Sequence, residues 1–372
     1  MRMKIWYLFV KLLILYYPNK KKLNFSLLSI SESIEHLLAD KQAFVFYKKP
    51  NFNKVTAFVQ NNTKLNTTKD YTEQGFVFAP FDKKQEAVLI PSNASTLHDF
   101  DLPTTVKIDE SLPEIESETI KNTYTDLIDK SISFIHSRKA DKIVLSRKLK
   151  KQYSKEKLGL IYENLVLAYP SAFVYIWYHP QVGLWMGASP EKLLCVDKDA
   201  FSTMALAGTQ IYKEEVVWGT KEKEEQQWVT DFITDQLIPI AEHLDISKPY
   251  TDQAGSLAHI RTDVFGYLNE GTTLQHLIKS LHPTPAVCGT PRNTAEDFIV
   301  ANENYNRKFY TGFIGEINLD QKTDLYVNLR CMELENIVAN LYVGGGVTTD
   351  SNPEKEWEET VNKAAVLGKF LV

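Results

Sequence analysis

The stretch from Asn328 to Lys363 constrains this chain most. Asn328–Met332 (NLRCM) and Leu341–Val347 (LYVGGGV) read as two apolar strands, and Glu356-Trp-Glu-Glu-Thr opens a helix behind them. Arg330 sits in the first strand, and Gly344, Gly345 and Gly346 close the second. Glycines there let backbone N–H groups approach an anion closely. Glu356 and Glu359 are spaced i,i+3, and Lys363 lies four residues beyond Glu359, so the three share one helix face. A cation, bare amides and paired acids within one strand–strand–helix unit suit an anionic substrate held partly through a divalent metal. The same stretch alone also fits a sheet with a glycine turn and a solvated helix face.

Composition narrows the field. The chain has 372 residues, enough for one large domain or two of average size, and its 44% hydrophobic and 24% charged content is that of a globular protein. A net charge of −5 and the lack of any basic cluster interleaved with aromatics argue against a nucleic-acid partner. Cys195, Cys288 and Cys331 have neither metal spacing nor a disulfide pattern, which suits a reducing cytoplasm. Ile5–Tyr17 is almost wholly apolar, is interrupted by Lys11, and is followed by Lys20, Lys21 and Lys22. It is too short to span a bilayer and lacks a cleavage site, so no stable membrane insertion is expected. Residues 1–22 read as a segment docked on the core, a weak interfacial anchor, or extra residues from an upstream start codon.

Taken in order, Ser29–Leu38 reads as a helix with a Ser29/Glu32 capping box. Strands are expected over 42–47, 55–60, 75–79 and 86–90, and the polar stretch 91–118 as a loop or linker. The expected division is a β-rich part over 23–112 and a catalytic region over 113–372. A helix over 118–138 precedes the strand Asp141–Arg147, in which Lys142, Val144 and Ser146 share a face. A helix follows over 156–169, then a hairpin over 172–188 that ends at Glu191, placed to cap a helix or donate a proton. A strand over 201–206 ends in Ala207-Gly208-Thr209. The helix 221–240 carries Glu222 and Glu225, a second i,i+3 acid pair, and further helices are expected over 266–281 and 294–305. Between those last two, His282-Pro-Thr-Pro reads as a rigid turn. Two separate carboxylate pairs suit Mg²⁺, which takes one or two carboxylates plus substrate oxygens.

Several ordered stretches carry a resemblance: KIVLSR (142–147), GASPEKLL (187–194), LAGT (206–209), KEKEEQ (221–226), LHPTPAVCG (281–289), RKFYTGFIG (307–315), NLRCMEL (328–334) and the run from Gly344 to Lys363. In these the chain resembles the chorismate-utilising enzyme family, and within it the isochorismate synthases. The resemblance implies a single α/β (α+β) domain, with antiparallel sheets and helices packed around a deep central cleft. It implies chorismate, a dianion, as substrate. Glu225 and Glu359 match the direct Mg²⁺ ligands, and Glu222 and Glu356 the supporting acids. Gly208 and Thr209 match the neighbourhood of the ring carboxylate. Tyr310, Arg330, Lys363 and the glycines Gly344, Gly345 and Gly346 match groups around the substrate's carboxylates and enolpyruvyl side chain. Lys142 matches the base that activates water for attack at C2, Glu191 the acid that protonates the departing C4 hydroxyl, and His282 a histidine lining the cleft.

Such an acid must hold its proton near neutrality, which requires a raised pKa. Lys142 separates this reading from the anthranilate synthases, which add ammonia and generally lack that lysine. Ala207 stands where aminodeoxychorismate synthases carry a nucleophilic lysine. Salicylate synthases share Lys142 and Glu191 and then eliminate pyruvate, so they remain the alternative. A catalytically dead binding module would have no use for the acid–base pair. Two positions depart from the pattern: Gln226 stands where histidine usually follows the metal-binding glutamate, and Ala205 where proline often precedes LAGT. Isochorismate feeds both menaquinone and catechol siderophores, and the family leans towards monomers.

Overall fold

The structure is a computed structural model that describes residues 28–104, 118–254 and 257–371. The segment 1–22 lies outside the described residues. Among the described residues no helix is long and apolar enough to cross a membrane.

Two sheets dominate, and every strand pairing among the described residues is antiparallel. In spatial order the first sheet runs Gly289–Thr290, Lys142–Gln152, Val338–Val347, Cys331–Glu335, Gly183–Ser189, Phe173–His179, Phe44–Lys48, Lys54–Gln60, Ser95–Asp101. The second runs Ala241–Ile246, Leu257–Leu268, Ala200–Ile211, Lys192–Asp197, Lys322–Val327, Phe313–Leu319, Gly75–Ala79, Ala87–Pro91, Asn66–Thr68, and Tyr250–Ala254 adds to Leu257–Leu268.

Side-chain alternation along the strands explains the layering. Phe44 and Phe46 point into a core shared with the helices Ile30–Ala39 and Leu158–Ala168, whereas Val45 and Tyr47 point into an aromatic seam between the sheets. Phe76 and Phe78 enter that seam from the second sheet, while Val77 and Ala79 face the helices Thr220–Leu237 and Leu274–Leu281. Strands buried on both faces read as continuous apolar runs. The seam holds Trp177 and Trp185, both fully buried. A fourth core, with Ile128, Ile143, Phe298 and Trp357, packs the helices Glu118–His136, Arg292–Asn302 and Pro353–Gly368 against the Lys142 strand.

The capping box forms as expected: Ser29 Oγ accepts from Glu32 N, and Ser29 N donates to Glu32 Oε2 at 2.9 Å. Other expectations need correction. The stretch 91–118 contains the strand Ser95–Asp101, paired with Lys54–Gln60; it is an edge strand with no buried position, so its composition is polar. The helix expected over 266–281 begins only at Leu274, capped by Thr273. Residues 257–268 form a strand in which Ala258, Ile260, Thr262 and Val264 are buried while Phe265 and Tyr267 are exposed. Glu191 caps no helix, because the strand Lys192–Asp197 follows it. Arg330 lies just before its strand, at φ 44°.

Candidate active site

The two sheets part around a cavity of ≈ 130 Å³. One wall is the end of the Val338–Val347 strand, where Gly344, Gly345 and Gly346 pair with Ser146, Leu145 and Val144. The triglycine is therefore a strand end and not a loop. A Cβ on Gly346 would lie 2.6 Å from Oε1 of Glu225 and 2.7 Å from Cε of Lys142. One on Gly345 would lie 3.1 Å from Oε2 of Glu356 and 3.4 Å from Oε1 of Glu359. The glycines keep open a space at Glu225, Glu356 and Glu359. Gly208, at φ +70°, opens the facing wall in a conformation that side chains disfavour.

Each of three glutamates holds a lysine. Glu225 pairs with Lys142 at 2.7 Å, Glu356 with Lys221 at 2.9 Å, and Glu359 with Lys363 at 2.6 Å. Lys142 is fully buried behind Glu225, which itself lines the cavity. Burial pushes the Glu225 carboxyl up, but Lys142, with Lys221 and Lys363, more than offsets this and leaves it below the usual carboxylate range. Glu356 is 2% exposed; burial and the neighbouring Glu359 raise its carboxyl despite Lys221. Its Oε1 also accepts from Ser351 Oγ at 2.8 Å, and its Oε2 has no hydrogen-bond partner among the described residues. Among the described residues no three His, Cys, Asp or Glu side chains gather closely enough to enclose a metal ion.

Glu191 lines the cavity from the second sheet's side and is 4% exposed. Burial lifts its carboxyl to about 8, even against the pull of Lys142, Arg330 and Lys363. At neutral pH it is an acid with its proton in place. Tyr310 lines the cavity and stacks on Tyr342, with ring centroids 5.3 Å apart. Lys363 donates to the Gly344 carbonyl at 2.8 Å.

His259 is a wall residue that the sequence reading passes over. Its Nδ1 lies 2.9 Å from the Gly208 carbonyl and its Nε2 2.9 Å from an Arg330 nitrogen. Burial and then Arg330 lower it to about 3, so the ring is neutral. Nδ1–H therefore donates to the carbonyl, and Nε2 accepts from Arg330, fixing the guanidinium toward the cavity. The period-two pattern of 257–268 is the signal that would have placed this histidine on a strand. Lys221, Val287 and Thr311 also line the cavity.

His282 does not. It ends the helix Leu274–Leu281 and packs edge-on against Phe313 at 5.1 Å, beside a different cavity. The turn that follows brings Ala286 and Val287 to the wall in its place. Behind that wall lies a buried ion pair. Arg307 donates to Glu303 at 2.6 and 2.8 Å, to the Val144 carbonyl at 2.7 Å and to the Val287 carbonyl at 3.0 Å. Glu303 in turn accepts from the N–H and hydroxyl of Ser146, each at 2.8 Å.

Comparison with known proteins gives the family of the chain. The chain is 29% identical over 275 residues to anthranilate synthase component 1 of Aquifex aeolicus, covering 68% of this chain and 54% of that protein. It is 29% identical over 266 residues to the isochorismate synthase MenF of Escherichia coli K12, covering 68% and 60%. The chain thus spans a little over half the length of these relatives. Two solved structures share the fold. The putative 2,3-dihydroxybenzoate-specific isochorismate synthase DhbC of Bacillus anthracis matches at TM-score 0.75 and 24% identity, over 92% of this chain and 99% of that one. The menaquinone-specific isochorismate synthase MenF of Escherichia coli matches at TM-score 0.76 and 21% identity, over 96% and 93%. The family described as chorismate binding enzyme matches residues 82–372. The chain belongs to the chorismate binding enzyme family.

Proposed function

We propose that this protein is an isochorismate synthase, interconverting chorismate and isochorismate. The observation that carries the reading is Glu191, a buried carboxyl that keeps its proton at neutral pH in a cavity beside Arg330 and Lys363. The step requires Lys142 to give up its ion pair with Glu225 and its extra proton; as the amine it then takes a proton from water while the water oxygen bonds to C2. The ring double bonds shift and the C4–O bond breaks. The leaving oxygen departs with the bond's electron pair and receives the Glu191 proton. One water enters and one leaves, so the reaction is an isomerisation. Hydroxide is a poor leaving group, which is why the acid must be protonated beforehand. Lys142 lies against Gly346, where any side chain would crowd it.

Arg330, Tyr310, Gly345 and Lys363 hold the substrate's carboxylates and enolpyruvyl group, with Gly208 and Thr209 beside the ring carboxylate. His259 orients Arg330. The residues fit Mg²⁺: the acids offer hard oxygen donors, Glu356 Oε2 is buried with no hydrogen-bond partner among the described residues, and Gly345 and Gly346 leave space at Glu225, Glu356 and Glu359. Glu225 and Glu359 would hold the ion, with Glu222 and Glu356 in support. When bound it neutralises the ring carboxylate of chorismate.

The test is product analysis. Purified protein, chorismate and Mg²⁺ are mixed at neutral pH and separated by chromatography. Isochorismate in equilibrium with chorismate, without pyruvate, is expected. Salicylate with equimolar pyruvate would make it a salicylate synthase. The likeness to anthranilate synthases calls for a second arm with ammonium; anthranilate there would overturn the reading that water is the nucleophile. The names of the relatives connect such a product to menaquinone in one case and to 2,3-dihydroxybenzoate in another.

A further inference from the structure

Two short crossings join the sheets beside the cavity. Pro190 and Glu191 lead from the first-sheet strand Gly183–Ser189 to the second-sheet strand Lys192–Asp197. Asn328, Leu329 and Arg330 lead back, from Lys322–Val327 in the second sheet to Cys331–Glu335 in the first. The crossings lie side by side: Val327 N donates to the Glu191 carbonyl and Ala188 N to the Arg330 carbonyl, each at 3.0 Å. A third segment, Tyr310-Thr311-Gly312, leads into the strand Phe313–Leu319. Tyr310, Thr311, Leu329 and Arg330 all line the cavity.

Two of these residues have backbones that side chains disfavour, Arg330 at φ 44° and Thr311 at φ 61°. For a β-branched residue such as threonine the left-handed region is a marked outlier. Such conformations persist only where the surroundings over-determine them. Asn328 ties both segments. It is fully buried and does not itself line the cavity. Its N–H donates to the Gly312 carbonyl at 2.8 Å, and its carbonyl accepts from Thr311 N at 2.9 Å. Its Nδ2 donates to the Phe309 carbonyl at 2.8 Å, and its Oδ1 accepts from the Tyr175 hydroxyl at 2.6 Å. The peptides on either side of Tyr310 are thus clamped to a residue two places before Arg330, and Tyr175 anchors the clamp to the first sheet. The side-chain half needs a donor and an acceptor on one short group, which an amide provides. We propose that Asn328 is a positioning residue: it fixes Tyr310 relative to Arg330, so that both meet the anionic substrate at a set separation. This rests on the reaction proposed above, in which those two groups hold the substrate.

The test is the steady-state loss of chorismate on the full chain with Mg²⁺, followed whichever product forms. Asn328→Ala is expected to raise KM about tenfold and to lower kcat less than about threefold. Tyr175→Phe removes one hydroxyl and keeps the ring packed; it should raise KM about three- to tenfold, as losing one net hydrogen bond of the clamp requires. A merely structural role gives a different result, because lost folded protein lowers the apparent kcat and leaves KM where it was. An unmoved KM in either variant overturns the proposal, and where Asn328→Ala does not fold, Tyr175→Phe decides alone. A wild type that neither consumes nor binds chorismate would overturn the proposed reaction and this inference with it. A wild type that consumes chorismate, with variants that keep its KM, overturns this inference alone.

Discussion

Glu191→Gln separates the charge state of this position from its shape. A carboxyl moved from 4.5 to about 8 carries a penalty of about 5 kcal/mol on its ionised form. The folded protein then holds a proton that the unfolded chain releases near pH 4.5. Stability from this group is fully present below 4.5 and is lost as pH rises from there through about 8. Glutamine cannot ionise and escapes that loss. Urea unfolding of wild type and Glu191→Gln at pH 5 and pH 9 should therefore diverge, the variant gaining about 4 kcal/mol relative to wild type over that interval. In turnover, wild-type kcat/KM should fall about tenfold per pH unit above about 8, as the acid loses its proton, and the variant should be inactive. Parallel stability profiles for the two proteins would mean that Glu191 is ionised in the fold, and the acid role would go with it.

Three further outcomes are expected. Gly346→Ala places a methyl 2.6 Å from Glu225 Oε1 and 2.7 Å from Lys142 Cε; it should cut kcat about 100-fold or more by pushing this pair apart, while circular dichroism stays native. Arg307→Met strands the buried Glu303 carboxylate and should cost about 3–5 kcal/mol in urea unfolding, whereas adding Glu303→Gln should recover part of that loss. EDTA should silence turnover and Mg²⁺ restore it, and Mg²⁺ should raise the melting temperature of wild type but not of Glu225→Gln/Glu359→Gln; full activity in chelator would remove these glutamates from a metal role.

The sequence made some of this readable and hid the rest for physical reasons. Local signals survived: the Ser29/Glu32 box, the hairpin Phe173–Ser189, and the acid pairs at 222/225 and 356/359 each depend on neighbours within a turn or a strand length. What failed was non-local. The strand Ser95–Asp101 has no apolar face to advertise it, because it lies at an edge. The strand Leu257–Leu268 continues past Gly266 because its partners on both sides hold it. His259 and His282 look alike in a sequence, and only the path of the chain places the first beside Arg330 and the second beside Phe313. The lysine that each glutamate takes lies across the fold for Lys142 and Lys221; only Lys363 is a helical neighbour.

The strand order has a consequence for how the protein is made. In the first sheet the Lys142–Gln152 strand meets the remainder only through Val338–Val347 and Cys331–Glu335. Both strands lie well after Lys142 in the chain, so they leave the ribosome later than it does. Until they arrive, the strand bearing Lys142 has, among the described residues, only the two-residue strand Gly289–Thr290 beside it, and Val144–Gln152 present an open edge. The nascent protein thus carries an unsatisfied strand edge until the Val338–Val347 strand is made, the kind of surface that invites pairing between chains. A stop codon near residue 330 would leave the core around Phe78 without Cys331 and Tyr342, strip the core around Ile34 of Met332, Leu341, Val366 and Phe370, and leave the first sheet in two pieces.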